Sequence, residues 1–215
     1  KKGDPLILMS NTPKAIREWV EGAFAEAENK DQEIYFGLKR EYMQYDAKFS
    51  DIILDVREGL AEGGKTPPAM MMMRPSQQLV KMVVDPPRNA HYGALNLDGD
   101  IFSDITAALG GSLATASSII TSAEGTMLFE APHGTAPDLY ETYLESKGKK
   151  AYFNASALFY AVANALEVLA DKESNKELKK YSDVMKDALI DTVGQGVITA
   201  DLKGKTSNPK KEKLV

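Results

Sequence analysis

The stretch NLDGDIFSDITAALGGSL, residues 96–113, gathers three carboxylates, Asp98, Asp100 and Asp104, beside an apolar run that ends in Gly110 and Gly111. Carboxylates this close repel one another unless water or a cation surrounds them. Asp100 and Asp104 lie four apart, so a helix whose first turn starts at Ile101 projects both to one side. Two hard oxygen donors on a helix start suit Mg²⁺ or Mn²⁺. Asp98 and Asp100 are equally at home as loop and cap residues of any helix N-terminus. The spacing alone leaves both readings open.

Composition narrows the classes around this stretch. A chain of 215 residues suffices for one full core or two small domains. With 43% hydrophobic and 27% charged residues, it matches soluble globular proteins and not disordered or membrane-resident ones. A formal charge of −5 argues against nucleic acid as a partner, which calls for a basic face. No apolar run reaches transmembrane length, and the apolar part of KKGDPLILMSNTPK (1–14) is too short for a signal peptide, so an intracellular protein is expected. The chain has no cysteine, so disulfides and thiolate sites are excluded and any metal must be held by oxygen or by His91 and His133.

Upstream, DPLILMS (4–10) reads as a strand, followed by a helix from about Lys14 with Ile16, Val20, Phe24 and Ala27 at helical spacing. IYFGLKREYMQY (34–45) suits a helix with Leu38 and Tyr42 on one side. GGKTPP (63–68) is a loop or linker, and MMMM (70–73) packs a core or an interface. QLVKMVV (78–84) fits helix or strand and is stopped by DPPRN (85–89). Downstream, GTMLFEAPHGTAPD (125–138) reads as a strand entering a Pro- and Gly-rich loop. Two helices follow, one with a stripe of Leu158, Val162, Leu166 and Leu169, the other with Leu178, Tyr181, Met185, Leu189 and Val193. The tail KGKTSNPKKEKLV (203–215) reads as solvated and poorly ordered.

Taken in order, NLDGDIFSDITAALGGSL, EAPHGTAPD (130–138) and Asn154 at the head of a long helix resemble the C-terminal half of the isocitrate/isopropylmalate dehydrogenase family of β-decarboxylating dehydrogenases. The likeness runs from about position 85 to 202, DPLILMSNT (4–12) to EGAF (21–24) is similar to an earlier family segment, and NKELKKYSDVMKDALIDTVGQGVITADL (175–202) resembles the homodimeric isocitrate dehydrogenases. The family's α/β fold is not a Rossmann fold, and the G-x-G-x-x-G fingerprint is absent here too. The resemblance implies a three-layer sheet with helices, of which this chain is the C-terminal portion. It divides the chain into 1–84, part of a small or clasp domain and dimer-forming region, 85–205, the C-terminal part of the large cofactor-binding domain, and the tail 206–215.

The same resemblance implies NAD-dependent oxidative decarboxylation of isocitrate to 2-oxoglutarate and CO₂, in a cytoplasmic or mitochondrial-matrix homodimer whose subunits share the site. Asp100 and Asp104 then ligate Mg²⁺ or Mn²⁺. His133, Gly134, Thr135 and Ala136 wrap the adenosine end of the dinucleotide, with Asn154 joining from the next helix. Asp138 stands where an acidic side chain accepts from the ribose hydroxyls of NAD and repels the 2′-phosphate of NADP. Leu139, Ala200 and Gly204 stand where NADP-type members place tyrosine and arginine for that phosphate.

The sequence also departs from the family. Counting back to its third metal-binding aspartate lands near Ser76, and no acid lies between Glu62 and Asp85; Asp55 could stand in only if 63–73 is an insertion. Lys14 is the lysine nearest to the expected catalytic one, slightly out of register, and equally a surface lysine. The missing aspartate and the ambiguous lysine favour, as an alternative, a non-catalytic regulatory or interaction subunit; the clamp for isocitrate's carboxylates precedes this chain in the family, which leaves isopropylmalate or tartrate as alternative substrates.

Overall fold

The computed structural model describes residues 9–122, 124–132, 137–148, 153–206 and 209–214. The chain forms two compact units, residues 1–102 and 103–215.

The first unit is built from β-α-β crossovers. Helix α1 (Pro13–Asn29) starts where Thr12 accepts the Ala15 N–H and Pro13 supplies a preset first turn. It buries Ile16, Val20, Phe24 and Ala27, the expected helical set. Strand β1 (Glu33–Gly37) follows, then α2 (Gln44–Glu62), β2 (Met70–Met73), α3 (Pro75–Val84) and β3 (Ala90–Ala94). The sheet order is β2-β1-β3, parallel throughout, with Ile34 opposite both Met70 and His91. Helix α4 (Asn96–Leu109) leaves β3 after a single residue. Ile34 and Phe36 of β1 meet Val20 and Phe24 of α1 and Phe49, Ile53 and Val56 of α2 in one core, against which Met70 and Met72 pack.

The expected helix over 34–45 is therefore wrong in its first part. Ile34, Tyr35 and Phe36 form the central strand, where a continuous apolar run is what a sheet covered on both faces demands. Two glycines permit its close packing. A Cβ on Gly37 would fall 2.2 Å from Gln78 Oε1, and one on Gly93 would fall 2.6 Å from Phe36 Cδ1. The buried Gln78 amide thereby reaches in from α3 and donates to the carbonyls of Tyr35 and Gly93. The ambiguous 78–84 segment is helix, ending at Val84 before Asp85. The strand expected at 4–10 lies almost wholly outside the described residues.

The second unit contains an antiparallel pair, β4 (Ser118–Thr121) and β5 (Met127–Glu130), then α5 (Pro137–Glu145), α6 (Ser156–Glu173) and α7 (Lys176–Gly194). Against expectation, the stripe of α6 is not its buried face: Leu158 is 53% exposed, and Val162 and Leu169 are also exposed. Ala157, Ala161, Ala163 and Ala170 are buried instead, and on α7 the buried residue is Ser182, with Tyr181 exposed at 59%. Small side chains let the two helix backbones approach, and the Ser182 hydroxyl donates to the Ala163 carbonyl at 2.8 Å. Leu166, Leu178, Met185, Leu189 and Val193 are half-buried.

The tail is more ordered than its composition suggests. Strand β6 (Val197–Ile198) pairs in parallel with β7 (Lys213–Leu214). The Glu212 carboxylate accepts from the Gly204 N–H at 2.9 Å and from the Thr206 hydroxyl at 2.7 Å. A charged acceptor with two donors holds the return, overriding the charge run that reads as solvated.

Candidate functional site

In the first unit a cavity of about 900 Å³ opens between the chain before α1, the start of α2 and the β3–α4 junction. Trp19 and Phe49 form its apolar wall, while Lys39, Asp46, Asp98 and Asp100 bring charge to it. Helix α4 begins at Asn96, so Asp98 and Asp100 are helical residues and not loop or cap residues. Asp98 is half-buried and Asp100 exposed. Asp104 is one turn further along α4 and exposed.

These carboxylates have the right chemistry for a hard divalent cation, but two acids from one helix are an incomplete set. Among the described residues no three His, Asp or Glu side chains gather into a metal-binding cluster. Asp55 lies on α2 and pairs with Arg17. Ser76 is exposed in the first turn of α3, and its neighbour Gln77 accepts the Arg74 N–H at 3.1 Å to close the cap. A cation held here takes its remaining oxygens from outside this set. Lys14 is not among the cavity's lining residues: its side chain is 86% exposed and lies 3.6 Å from Glu18.

In the second unit, His133, Gly134, Thr135 and Ala136 lie outside the described residues. Asp138 is exposed in the first turn of α5, where an acid complements the helix dipole, and its carbonyl accepts from the Thr142 hydroxyl. Leu139 follows on the same turn, half-buried.

Asn154 is buried at the head of α6, its Oδ1 accepting the Ser156 N–H at 3.0 Å and its Nδ2 donating to Asp201 Oδ2 at 2.8 Å. Ser112 donates to the same carboxylate oxygen at 2.5 Å, and Thr199 to the other at 2.5 Å. Burial pushes the Asp201 carboxyl up, but the donors from Asn154, Ser112 and Thr199 outweigh it and hold the group below its ordinary value. Asp201 thus ties the chain at 112, the head of α6 and the return after β6 together. Asp201, between Ala200 and Gly204, carries no spacing signal in the sequence, because its partners Ser112 and Asn154 lie 89 and 47 residues away. Beside it, Gly204 receives the Glu212 carboxylate, and Lys205 is turned onto the Gly111 carbonyl.

With that geometry in view, similarity to known proteins is informative. The profile of the isocitrate/isopropylmalate dehydrogenase family matches residues 7–214. The chain is 28% identical over 207 residues to the chloroplastic/mitochondrial NADP isocitrate dehydrogenase of Arabidopsis thaliana, covering 95% of this chain and 42% of that protein. It is 28% identical over 209 residues to the cytoplasmic NADP isocitrate dehydrogenase of Dictyostelium discoideum, covering 94% and 50%. The mitochondrial NADP enzyme of Sus scrofa is again 28% identical over 202 residues, covering 91% and 47%. The chain spans about half the length of these curated relatives. With a parallel α/β unit, the ordered motifs and a family match over nearly every residue, this chain belongs to the isocitrate/isopropylmalate dehydrogenase family.

Proposed function

We propose that this chain supplies the metal-side and nucleotide-side residues of an isocitrate dehydrogenase that oxidises isocitrate with NAD and releases 2-oxoglutarate and CO₂. Membership of the family and the isocitrate dehydrogenase names of the relatives support the reaction class. Asp100 and Asp104 hold Mg²⁺ or Mn²⁺, which supplies Lewis-acid stabilisation of the negative charge that decarboxylation leaves on the substrate. His133, Gly134, Thr135, Ala136, Asp138, Leu139 and Asn154 hold the dinucleotide, with Asn154 fixed by Asp201. The division at residues 84/85 into a clasp and dimer-forming part and a cofactor-binding part belongs to the same proposal, as do the homodimer and a cytoplasmic or matrix location. Among the described residues no helix is long and apolar enough to cross a membrane.

The cofactor is argued from charge, against the NADP of the relatives' names. The single observation that carries NAD is Asp138, exposed in the first turn of α5 where the 2′ position is expected. Ala200 offers no phenol and Gly204 no guanidinium to a 2′-phosphate. A phosphate dianion brought near Asp138 is repelled. Steady-state reduction of NAD and NADP with isocitrate and Mn²⁺ tests this. We expect NAD to be preferred, and Asp138→Lys to shift the NAD:NADP ratio of kcat/KM by about tenfold or more towards NADP. NADP preference in the unaltered protein contradicts the assignment.

One observation favours a second reading, a non-catalytic subunit of the same fold: the missing third carboxylate near Ser76. The same assay on the complete polypeptide separates the two, since such a subunit reduces neither dinucleotide with any divalent metal.

A further inference from the structure

The run of four methionines in β2 plays no part in the proposed site, and the sheet divides it into two kinds of side chain. Met70 and Met72 stand opposite Ile34 and Phe36 of β1 and pack with them against the core. The Met72 sulfur also accepts from the Ser50 hydroxyl of α2 at 3.4 Å. Met71 stands opposite Tyr35 on the other face, because successive side chains of a strand point to opposite sides. It is 54% exposed, more than any other methionine of the chain. Among the described residues β2 pairs with β1 alone, so Met71 lies on an edge strand.

Exposure decides which thioether an oxidant reaches, and burial decides what the product costs. A hydroperoxide gives one oxygen to the sulfur lone pair: the S–O bond forms as the O–O bond breaks, and the sulfur loses two electrons. The proton passes to the departing oxygen, which leaves as water or an alcohol. A sulfoxide at Met70 or Met72 puts a polar oxygen against the apolar core, whereas at Met71 that oxygen meets water. The chain has no cysteine, so no thiolate within it takes the oxidant first.

We propose that Met71 is a reversible oxidation site, converted by hydroperoxide to the sulfoxide while Met70 and Met72 stay reduced. A dithiol-dependent methionine sulfoxide reductase returns it to the thioether, releasing the oxygen as water and leaving the dithiol as a disulfide. The modification sets a polar group on an otherwise apolar, uncharged edge strand and leaves the core packing intact. It does not depend on the isocitrate reading.

The test exposes the folded 215-residue chain to hydrogen peroxide and reads each methionine by fragment-ion mass spectrometry, which resolves adjacent residues. Met71 is expected to oxidise faster than Met70 and Met72 by about tenfold or more, and in urea the difference is expected to vanish, because the fold creates it. The melting temperature is expected to stay unchanged while Met71 is the residue of β2 that is modified. The two epimer-specific reductases with dithiothreitol are expected to restore the thioether. Met71→Leu, which nearly conserves volume at an exposed position, is expected to fold as the parent does and to leave β2 without a fast-reacting residue. Oxidation of Met70 or Met72 as fast as Met71 in the folded chain, or a ratio that persists in urea, overturns the proposal. A melting temperature that falls with Met71 oxidation, or a sulfoxide that both reductases leave in place, overturns it as well.

Discussion

His91 shows how one half-buried side chain sets a response to pH. It sits half-buried on β3, where burial lowers its pKa below the ordinary 6.5 in spite of Glu26 nearby. A group whose folded value is depressed contributes stability that is present above the unfolded value and lost as pH falls through the folded one. The melting temperature should therefore decline as pH drops below about 6.5, and His91→Gln should flatten that decline; a slope unchanged in the variant contradicts the burial argument. Asp201 predicts a larger structural loss. Asp201→Ala leaves the buried Asn154 amide and the Ser112 hydroxyl without their acceptor, at a cost of about 1–3 kcal/mol in denaturant unfolding. A variant as stable as the parent would show that these two donors find water instead.

Among the elements, the seam between α6 and α7 rests on alanine and serine rather than leucine. Ser182→Leu should destabilise by about 1–3 kcal/mol through overpacking. Leu158→Ala should change chain stability by less than about 0.5 kcal/mol because its side chain meets solvent. Equal effects in a urea titration would mean that the helices pack by their leucines after all. The periodicity of α1, α6 and α7 made these helices legible in the sequence, and so was the stop at DPPRN. Their buried faces were legible only for α1, since a pattern of large apolar residues does not register a contact made by alanine. Ile34 to Phe36 misled because a short apolar run fits either period, and a central parallel strand has no alternation to reveal it. At the site, Asp100 and Asp104 were readable as a pair on one helix, whereas Asp201 acquires meaning only through partners brought close by folding.

A chain of net charge −5 asks for cationic help wherever it receives anions, and in the proposed site a divalent metal at Asp100 and Asp104 would supply it. Strands β4 and β5 and helices α6 and α7 each carry exposed apolar side chains, which accords with the proposed homodimer. The proposed preference for NAD sets this chain against relatives named for NADP. Calorimetric titration of NAD, and then of NADP, into the folded chain with and without Mn²⁺ decides it. Saturable NAD binding is expected, with NADP weaker by about tenfold or more and that order reversed in Asp138→Lys. Tighter binding of NADP by the unaltered chain, or binding of neither dinucleotide, would contradict it.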